Sequence, residues 1–145
     1  MVHVELTCYK IERLNMVNRI LASGAIEGAN RDSFSVDYSS DNTVGVATLT
    51  EYVELNDNPQ KFCIELTLEG GFLFDGIKTK KQKEEAHKKC YGALFPIAQE
   101  IVKFLTIHSG ISEGIIIQKR ILKQINIGPK PEEKSDKIID FPTDW

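Results

Sequence analysis

Apolar and polar residues alternate along four stretches in the first half of the chain, the spacing that places successive side chains on opposite faces of a β-strand. The stretches are Val2–Leu14, Ser33–Tyr38, Val44–Leu55 and Phe62–Phe74. In the first stretch the alternation slips at Cys8–Tyr9, which predicts a β-bulge there. Turn-forming residues follow the second and third stretches. The pattern therefore predicts four strands in an antiparallel sheet.

The second half of the chain changes to a helical period. From Thr79 onward apolar residues recur every three or four positions, and Gly110 is placed to end the predicted helix. Pro96 lies inside it, where proline removes a backbone donor and clashes with the preceding turn, so we expect either a kink or two helical pieces. Between the first two strands, Asn15–Arg31 lacks a clean period and is predicted to be a crossover loop.

The C-terminal part of the sequence is less regular. Ile115–Ile127 is compatible with a short helix or a buried strand, and its β-branched start favours extended structure. From Gly128 the chain is rich in proline and charge, which predicts a tail that lies over the surface or is disordered. The expected layout is a single α+β domain, residues 1–127, followed by a charged, proline-containing tail, residues 128–145. Its fold is a four-stranded antiparallel sheet backed by a long, proline-bent helix.

Size and charge narrow the class of protein. A chain of 145 residues is typical of one domain with one core. The formal charge is −3, and the only basic cluster, Lys78–Lys83, is followed at once by Glu84 and Glu85. This pattern indicates a solvated helix start, so we expect no nucleic-acid binding. The N-terminus lacks the features of a secretory signal, and no apolar run approaches the ~20 residues of a membrane span. A cytoplasmic location without membrane insertion is expected.

Candidate catalytic and metal-binding chemistry is sparse. The three cysteines are odd in number, far apart and never in a CxxC pair, so each is predicted to be a small buried side chain. The histidines are widely separated, and an exposed or capping role is predicted for His87 and His108. No phosphate-binding loop or nucleophile motif is present in the sequence. We therefore expect no enzyme activity, no metal and no cofactor.

Two segments together carry a resemblance to a known family. They are Cys63–Gly76 (CIELTLEGGFLFDG) and Cys90–Gly110 (CYGALFPIAQEIVKFLTIHSG). Their order and spacing resemble those of the SecB export-chaperone family. There a glycine pair followed by an aromatic residue marks the end of the fourth strand, and the helix passes through Leu-Phe-Pro.

The structural motif residues Gly70, Gly71 and Pro96 have a physical reading of their own. The two glycines lack Cβ and so permit a bulge or sharp bend and a close approach by the helix. Pro96 would bend that helix along a twisted sheet. After Ile127 the chain departs from the family, because prolines interrupt the place of its second helix. This departure points to a SecB-like branch found in Gram-positive bacteria or beside toxin–antitoxin pairs.

The resemblance implies an ATP-independent holdase that binds non-native client polypeptides, serves protein export and forms a homo-oligomer, a dimer or a tetramer. The alternative is a dedicated protein-binding adaptor or antitoxin-type chaperone on the same fold, so SecA or an antitoxin is the implied special partner. In the family the fourth strand contributes to client binding and to the face that meets SecA. The resemblance thus implies such roles here for Glu65, Thr67 and Glu69, with a solvated sheet face as the alternative.

Apolar contact residues follow from the predicted architecture. A four-stranded sheet with one helix leaves apolar edges, and exposed apolar surface usually marks a partner site. The candidates for contact with a polypeptide are Tyr52, Phe72 and Phe74. For Phe72 and Phe74, burial in the core is the favoured alternative.

Overall fold

The computed structural model describes residues 1–19, 28–55, 61–111, 113–119, 126–127 and 136–140. Its elements are β1 (His3–Asn18), β2 (Gly28–Tyr38), β3 (Val44–Leu55), β4 (Phe62–Asp75), α1 (Lys80–Ile107), β5 (Asn126–Ile127) and β6 (Asp136–Asp140). The strands form one antiparallel sheet in the order β1-β4-β3-β2-β6-β5. The predicted four long strands followed by one long helix are confirmed, and two short strands extend the sheet.

The strands β1 and β2 are longer than their alternation predicts. β1 continues to Asn18, and β2 begins at Gly28, so both ends of the predicted crossover loop belong to the sheet. The reason is tertiary: β4 pairs with β1 up to Asn18, and β3 pairs with β2 from Gly28. These neighbours supply backbone hydrogen-bond partners that the local polar sequence does not reveal. The middle of the predicted loop, residues 20–27, lies outside the described residues.

The glycine pair lies inside a strand. β4 continues through Gly70 and Gly71 to Asp75, so the predicted strand Phe62–Phe74 is confirmed. The pairing of β3 with β4 keeps its register past both glycines, so the bulge or sharp bend expected at the pair is not in β4. The pairing of β1 with β4 shifts register directly before Cys8 and again directly before Arg13. The first shift is the predicted bulge, and it lies opposite Gly71. The irregularity therefore falls on β1, while β4 stays continuous.

The helix α1 is capped and continuous. Thr79 accepts a hydrogen bond from the backbone of Gln82, and the Gln82 side chain accepts one from the backbone of Thr79, a capping box. The helix passes through Pro96 without interruption, so the alternative of two helical pieces is wrong. Pro96 is exposed, on the side of α1 away from the buried face. After the helix Gly110 adopts φ +93°, consistent with its predicted role in ending it.

One face of the sheet packs against α1 and forms the core. Alternate residues of β2, β3 and β4 meet the helix residues Ala86, Cys90, Leu94 and Ala98, all of which are fully buried. A Cβ on Gly70 would lie 2.9 Å from Leu94 Cδ2, so the predicted close approach of helix and glycine is confirmed. Each fully buried large apolar side chain contributes roughly 1.5–3 kcal/mol. This face supplies most of the apolar burial of the domain.

The helix also corrects a prediction about membrane spans. An 18-residue window of α1 has a mean hydropathy of 1.2, long and apolar enough to cross a membrane by composition. The expectation that no stretch approaches this length is wrong. Of that window, 39% is buried inside the protein, and its buried apolar residues include Leu94, Ala98 and Val102 of the core.

The segment after the helix closes one side of the core without regular structure. Ile117 is fully buried, and its carbonyl accepts a hydrogen bond from Gln99 Nε2 at 3.0 Å. The Asn30 side chain bonds both the N–H and the carbonyl of Gln118. Residues 115–119 form neither a helix nor a strand.

Part of the predicted tail belongs to the sheet. β6, Asp136–Asp140, pairs with Phe34–Tyr38 at the end of β2, and β5 pairs with β6. For these five residues the prediction of a surface or disordered tail is wrong. The edge of β2 offers unpaired backbone groups that a charged segment can satisfy irrespective of its composition.

Candidate polypeptide-binding surface

The sheet has an open face, defined as the face opposite α1. Residues that pair directly across antiparallel strands point to the same side. Tyr52 pairs with Glu65, while Thr67 and Glu69 occupy the next positions of β4 on this side. The structure thus brings together four of the predicted contact residues. Thr67 is the least accessible of them, with its hydroxyl 2.9 Å from that of Thr50.

The two carboxylates of the open face are each matched by a basic residue of β1. Glu69 Oε1 lies 3.5 Å from Lys10 Nζ, and Glu65 Oε2 lies 3.6 Å from Arg13 Nη1. All four side chains are at least 30% exposed, so each pair stabilises the fold by only about 0–1 kcal/mol. These four charges balance, so the surface here is ion-paired and not purely acidic. A docking role for the carboxylates stays a prediction.

The apolar end of the open face, defined as Val44, Val46 and Leu73, was not anticipated from the sequence. The three side chains are 46%, 48% and 44% exposed, and Val44 pairs directly with Leu73. Farther along the face, the Tyr52 ring carries the Arg31 guanidinium 5.2 Å from its centroid. The open face therefore combines an apolar end, an aromatic ring and ion-paired residues. Alternation predicted Val44 and Val46 in a strand but could not say which face the helix leaves bare.

Phe72 and Phe74 lie on the other side of the sheet. They are 2% and 5% exposed, and the Phe74 ring is 5.1 Å from that of Tyr38. β4 keeps a single parity from Phe62 to Phe74, so both aromatic residues stay on the helix face. The burial alternative is the one that the structure supports, and neither residue is available for a partner in this arrangement.

A second apolar surface, the apolar margin, runs along β1. It consists of Tyr9, Ile11 and Leu14, which are 53%, 47% and 41% exposed. Each pairs with a core-facing position of β4, so the margin lies on the helix face but beyond the helix. In the described part of the chain β1 has a strand neighbour on one side only. The slipped alternation at Cys8–Tyr9 was the sequence signal for this surface.

The helix end adds exposed apolar residues near the end of β1. Asn18 Nδ2 donates a 2.9 Å hydrogen bond to the carbonyl of Ser109, which holds the two ends together. Phe104 and Ile107, in the last turns of α1, are 61% and 43% exposed. The His108 ring packs 4.4 Å from that of Phe104, at the helix terminus where it was predicted. Strand and helix thus both expose apolar side chains at this end.

The ionisable residues beneath α1 are buried. Tyr91 Oη donates a 2.6 Å hydrogen bond to Asp32 Oδ2, and Glu51 pairs with Asp32 in the register of β2 and β3. His87 is fully buried with its ring 4.9 Å from that of Phe34, so the prediction of an exposed or capping role is wrong for it. These groups are sealed from solvent. Among the described residues, no group of three or more His, Cys, Asp or Glu side chains could hold a metal ion.

The cysteines differ in environment. Cys90 is buried, and this burial raises the pKa of its thiol above the ordinary value. Cys63 is half-buried and Cys8 is exposed beside the first bulge. The prediction that each cysteine is buried is therefore confirmed for Cys90 only. Cys8 is exposed because the register shift places it on the open face of the sheet.

An antiparallel sheet with one open face and one long helix on the other is the SecB-like fold. The structure is similar to that of Mycobacterium tuberculosis Rv1957, a SecB-like chaperone solved in complex with a ChAD peptide from the Rv1956 HigA1 antitoxin. The TM-score is 0.61 at 11% sequence identity, over 79% of this chain and 86% of that chain. No protein-family model and no curated protein matches the sequence. The predicted resemblance is confirmed as a likeness of fold.

Proposed function

We propose that this protein is an ATP-independent chaperone that holds non-native polypeptides on the open face of its sheet. One observation carries the proposal: a SecB-like fold leaves Val44, Val46 and Leu73 nearly half exposed at one end of the open face. Clustered exposed apolar side chains on a folded surface usually mark contact with another polypeptide. An extended client would bury its apolar side chains at this end and meet polar groups farther along. The chemistry requires no nucleotide, metal or cofactor.

A second candidate is a dedicated adaptor with one partner, such as an antitoxin. It is favoured by the structural neighbour, which was solved with an antitoxin peptide bound. The two functions use the same kind of surface and differ in selectivity. A holdase accepts many unrelated segments, whereas an adaptor requires side chains that fit one set of contacts.

The test is suppression of aggregation of an unrelated, slow-folding polypeptide by near-stoichiometric protein. Leu73→Lys and Val46→Lys place a charge in the apolar end and should abolish most of the effect. Ile116→Lys is the matched control, because Ile116 is 56% exposed but lies outside the sheet. It should leave suppression unchanged.

The outcomes separate the candidates. Suppression that is lost only in the two sheet variants supports the holdase. A wild-type protein that leaves aggregation unchanged argues against a holdase, and tight binding to a single antitoxin peptide would then support the adaptor. Equal loss of suppression in all three variants would show that the open face is not the client surface.

We further propose that the chain forms a homo-oligomer through β1. The apolar margin lies along a 16-residue strand with one side free of strand neighbours among the described residues, a combination suited to pairing with a second copy. Ile11→Lys should lower the mass measured by light scattering, while Leu73→Lys should keep it. A wild-type monomer at micromolar concentration would refute this assembly.

Finally, we propose that the protein lies in the cytoplasm, delivers clients for protein export and binds SecA. Glu65 and Glu69 are the residues that would contact SecA, after exchanging their pairing with β1. Glu65→Gln with Glu69→Gln should weaken binding to purified SecA, whereas Glu84→Gln in the helix should not. Absence of any SecA binding would remove the export role and leave the holdase intact.

A further inference from the structure

The strap, defined as residues 115–119, lies along α1 and runs in the opposite direction to it. At its start the Ile115 N–H donates a 2.7 Å hydrogen bond to Thr106 Oγ1, and at its end Lys119 Nζ lies 3.8 Å from the point where Gly92 would carry a Cβ. At ~1.5 Å of rise per residue, Thr106 and Gly92 are about 21 Å apart along the helix axis. Four residue steps of backbone reach about 14 Å at most, and the Lys119 side chain supplies the rest. The strap is therefore an extended segment, although it belongs to no strand.

Side chains of α1 and β2 hold the strap by its backbone. Gln99 Nε2 donates a hydrogen bond to the carbonyl of Ile117 at 3.0 Å. The Asn30 amide bonds both the N–H and the carbonyl of Gln118, each at 3.1 Å. Hydrogen bonds to a main chain give affinity that does not depend on the side chains of the bound segment. The groove between α1 and β2 therefore carries groups that suit an extended segment of another sequence.

A single buried side chain anchors the strap. Ile117 is fully buried in the core, whereas Ile116 is 56% exposed and Gln118 and Lys119 are exposed as well. Directly before the strap Gly114 has φ +73°, a left-handed conformation that changes the direction of the chain after the helix. A segment with few buried apolar contacts opens at a lower free energy than the core does. We therefore expect the strap to open while the sheet and α1 stay folded.

We propose that the groove between α1 and β2 is a second polypeptide-binding site, that the strap occupies it in the free protein, and that an extended client segment replaces the strap. This inference rests on the proposed chaperone function and adds a site that holds the backbone of the client. The strap sequence, Ile-Ile-Ile-Gln-Lys, indicates the chemistry of the occupant. A β-branched or other apolar side chain takes the place of Ile117. The next residue is not proline, because Asn30 accepts a hydrogen bond from its N–H.

The probe is a fluorescein-labelled, terminally blocked peptide with the sequence of residues 114–119, and its affinity is measured by fluorescence anisotropy. Gln118→Pro removes the N–H that the strap donates to Asn30 and leaves the groove residues in place. It should raise the affinity for the peptide about tenfold or more over wild type, because the groove is then free in a larger fraction of molecules. Ile117→Ala, which shrinks the anchor, should have the same effect. The matched control is Ile116→Ala, which changes an exposed side chain and should leave the affinity at the wild-type value.

Two further measurements identify the bound position and the occupant. Adding Asn30→Ala to Gln118→Pro should reverse the gain in affinity, because the peptide needs the same amide that holds the strap. Reduced, carboxymethylated lactalbumin, a permanently unfolded polypeptide, should displace the labelled peptide from the Gln118→Pro protein.

The outcomes separate this inference from the chaperone function. Equal peptide affinities of wild type, Gln118→Pro and Ile117→Ala would overturn the inference, and so would a gain that survives Asn30→Ala. Both results leave the chaperone function standing, because suppression of aggregation is measured separately. Lactalbumin that binds the wild-type protein without displacing the peptide would overturn the client as occupant of the groove. If the wild-type protein neither binds lactalbumin nor suppresses aggregation, the chaperone function fails and the inference fails with it.

Discussion

Replacing Gly70 with alanine tests how closely α1 packs against β4. The new Cβ would lie 2.9 Å from Leu94 Cδ2, 3.1 Å from Leu6 Cδ1 and 3.2 Å from Phe72 Cε2. Leu94 and Phe72 are at most 2% exposed, so they have little room to move, whereas Leu6 is only partly buried. The methyl group must therefore be accommodated by a shift within the core.

The expected cost follows from two opposing effects. Overpacking a core costs about 1–3 kcal/mol. Alanine also narrows the unfolded ensemble, which offsets about 0.4–1 kcal/mol. Gly70→Ala should consequently lower the free energy of unfolding by about 1–2 kcal/mol, measured from urea transitions followed by circular dichroism.

The neighbouring glycine provides a matched control. In Gly71→Ala the Cβ would meet Cys8 Sγ at 3.2 Å and Thr7 Oγ1 at 3.3 Å, both on exposed residues that can give way. The effect on the unfolded chain is the same and these contacts can relax, so its stability should equal that of wild type or exceed it by up to about 1 kcal/mol. Equal stability of the two variants would refute the account of helix packing.

A double-mutant cycle identifies the contact responsible. Leu94→Ala alone should cost about 2–5 kcal/mol because it leaves a cavity. In that background Gly70→Ala should lose the part of its cost that comes from the 2.9 Å contact, while the contacts with Leu6 and Phe72 remain, giving a coupling of about 1 kcal/mol. An unchanged cost in the double variant would place the strain elsewhere.

Three further predictions concern single residues. Tyr91→Phe removes a 2.6 Å hydrogen bond to a buried aspartate and should lower the free energy of unfolding by about 1.5–3 kcal/mol, with far-UV circular dichroism unchanged; a neutral effect would contradict it. A thiol reagent at pH 8 should modify Cys8 in the folded protein but Cys90 only after unfolding, as mass spectrometry of the labelled peptides would show. Hydrogen bonds, chiefly from the Thr43 side chain, hold the pKa of Asp41 below its usual value of 3.8, so Asp41→Ala should destabilise at neutral pH. That difference should vanish as the pH falls through the lowered pKa, because the wild-type protein then loses the contribution of the ionised form; a pH-independent difference would be inconsistent with this.

Much of the fold can be predicted from periodicity. The structure contains the strands β3 and β4 that alternation predicted and the helix that the period from Thr79 predicted. It also contains the bulge that the change of parity near Cys8 predicted. These patterns are informative because they reflect which side of an element is buried. Pro96 could not be assigned to a kink or a break, since its effect depends on whether packing holds the flanking turns together. α1 stays continuous there, with its opposite side buried against the sheet.

The candidate surface was predicted less completely. Glu65, Thr67 and Glu69 were correctly placed on one face, because a period of two decides which residues of a strand share a face. Tyr52 was grouped with Phe72 and Phe74, but it pairs with Glu65 and lies on the opposite face from the two phenylalanines. The sequence did not show that β1 supplies a basic partner to each carboxylate. That pairing depends on which strands are neighbours, and β1 and β4 are distant in sequence but adjacent in the sheet.

The sequence by itself determined the class of fold, the order of its long elements and the division of each strand into two faces. Tertiary structure alone decided which face α1 covers, and therefore that Phe72 and Phe74 are buried while Val44, Val46 and Leu73 are exposed. It also placed β6 on β2, although the local sequence reads as a charged tail. The physical reason is that local patterns record burial and backbone preference, whereas strand neighbours and coverage depend on contacts between segments far apart in the chain.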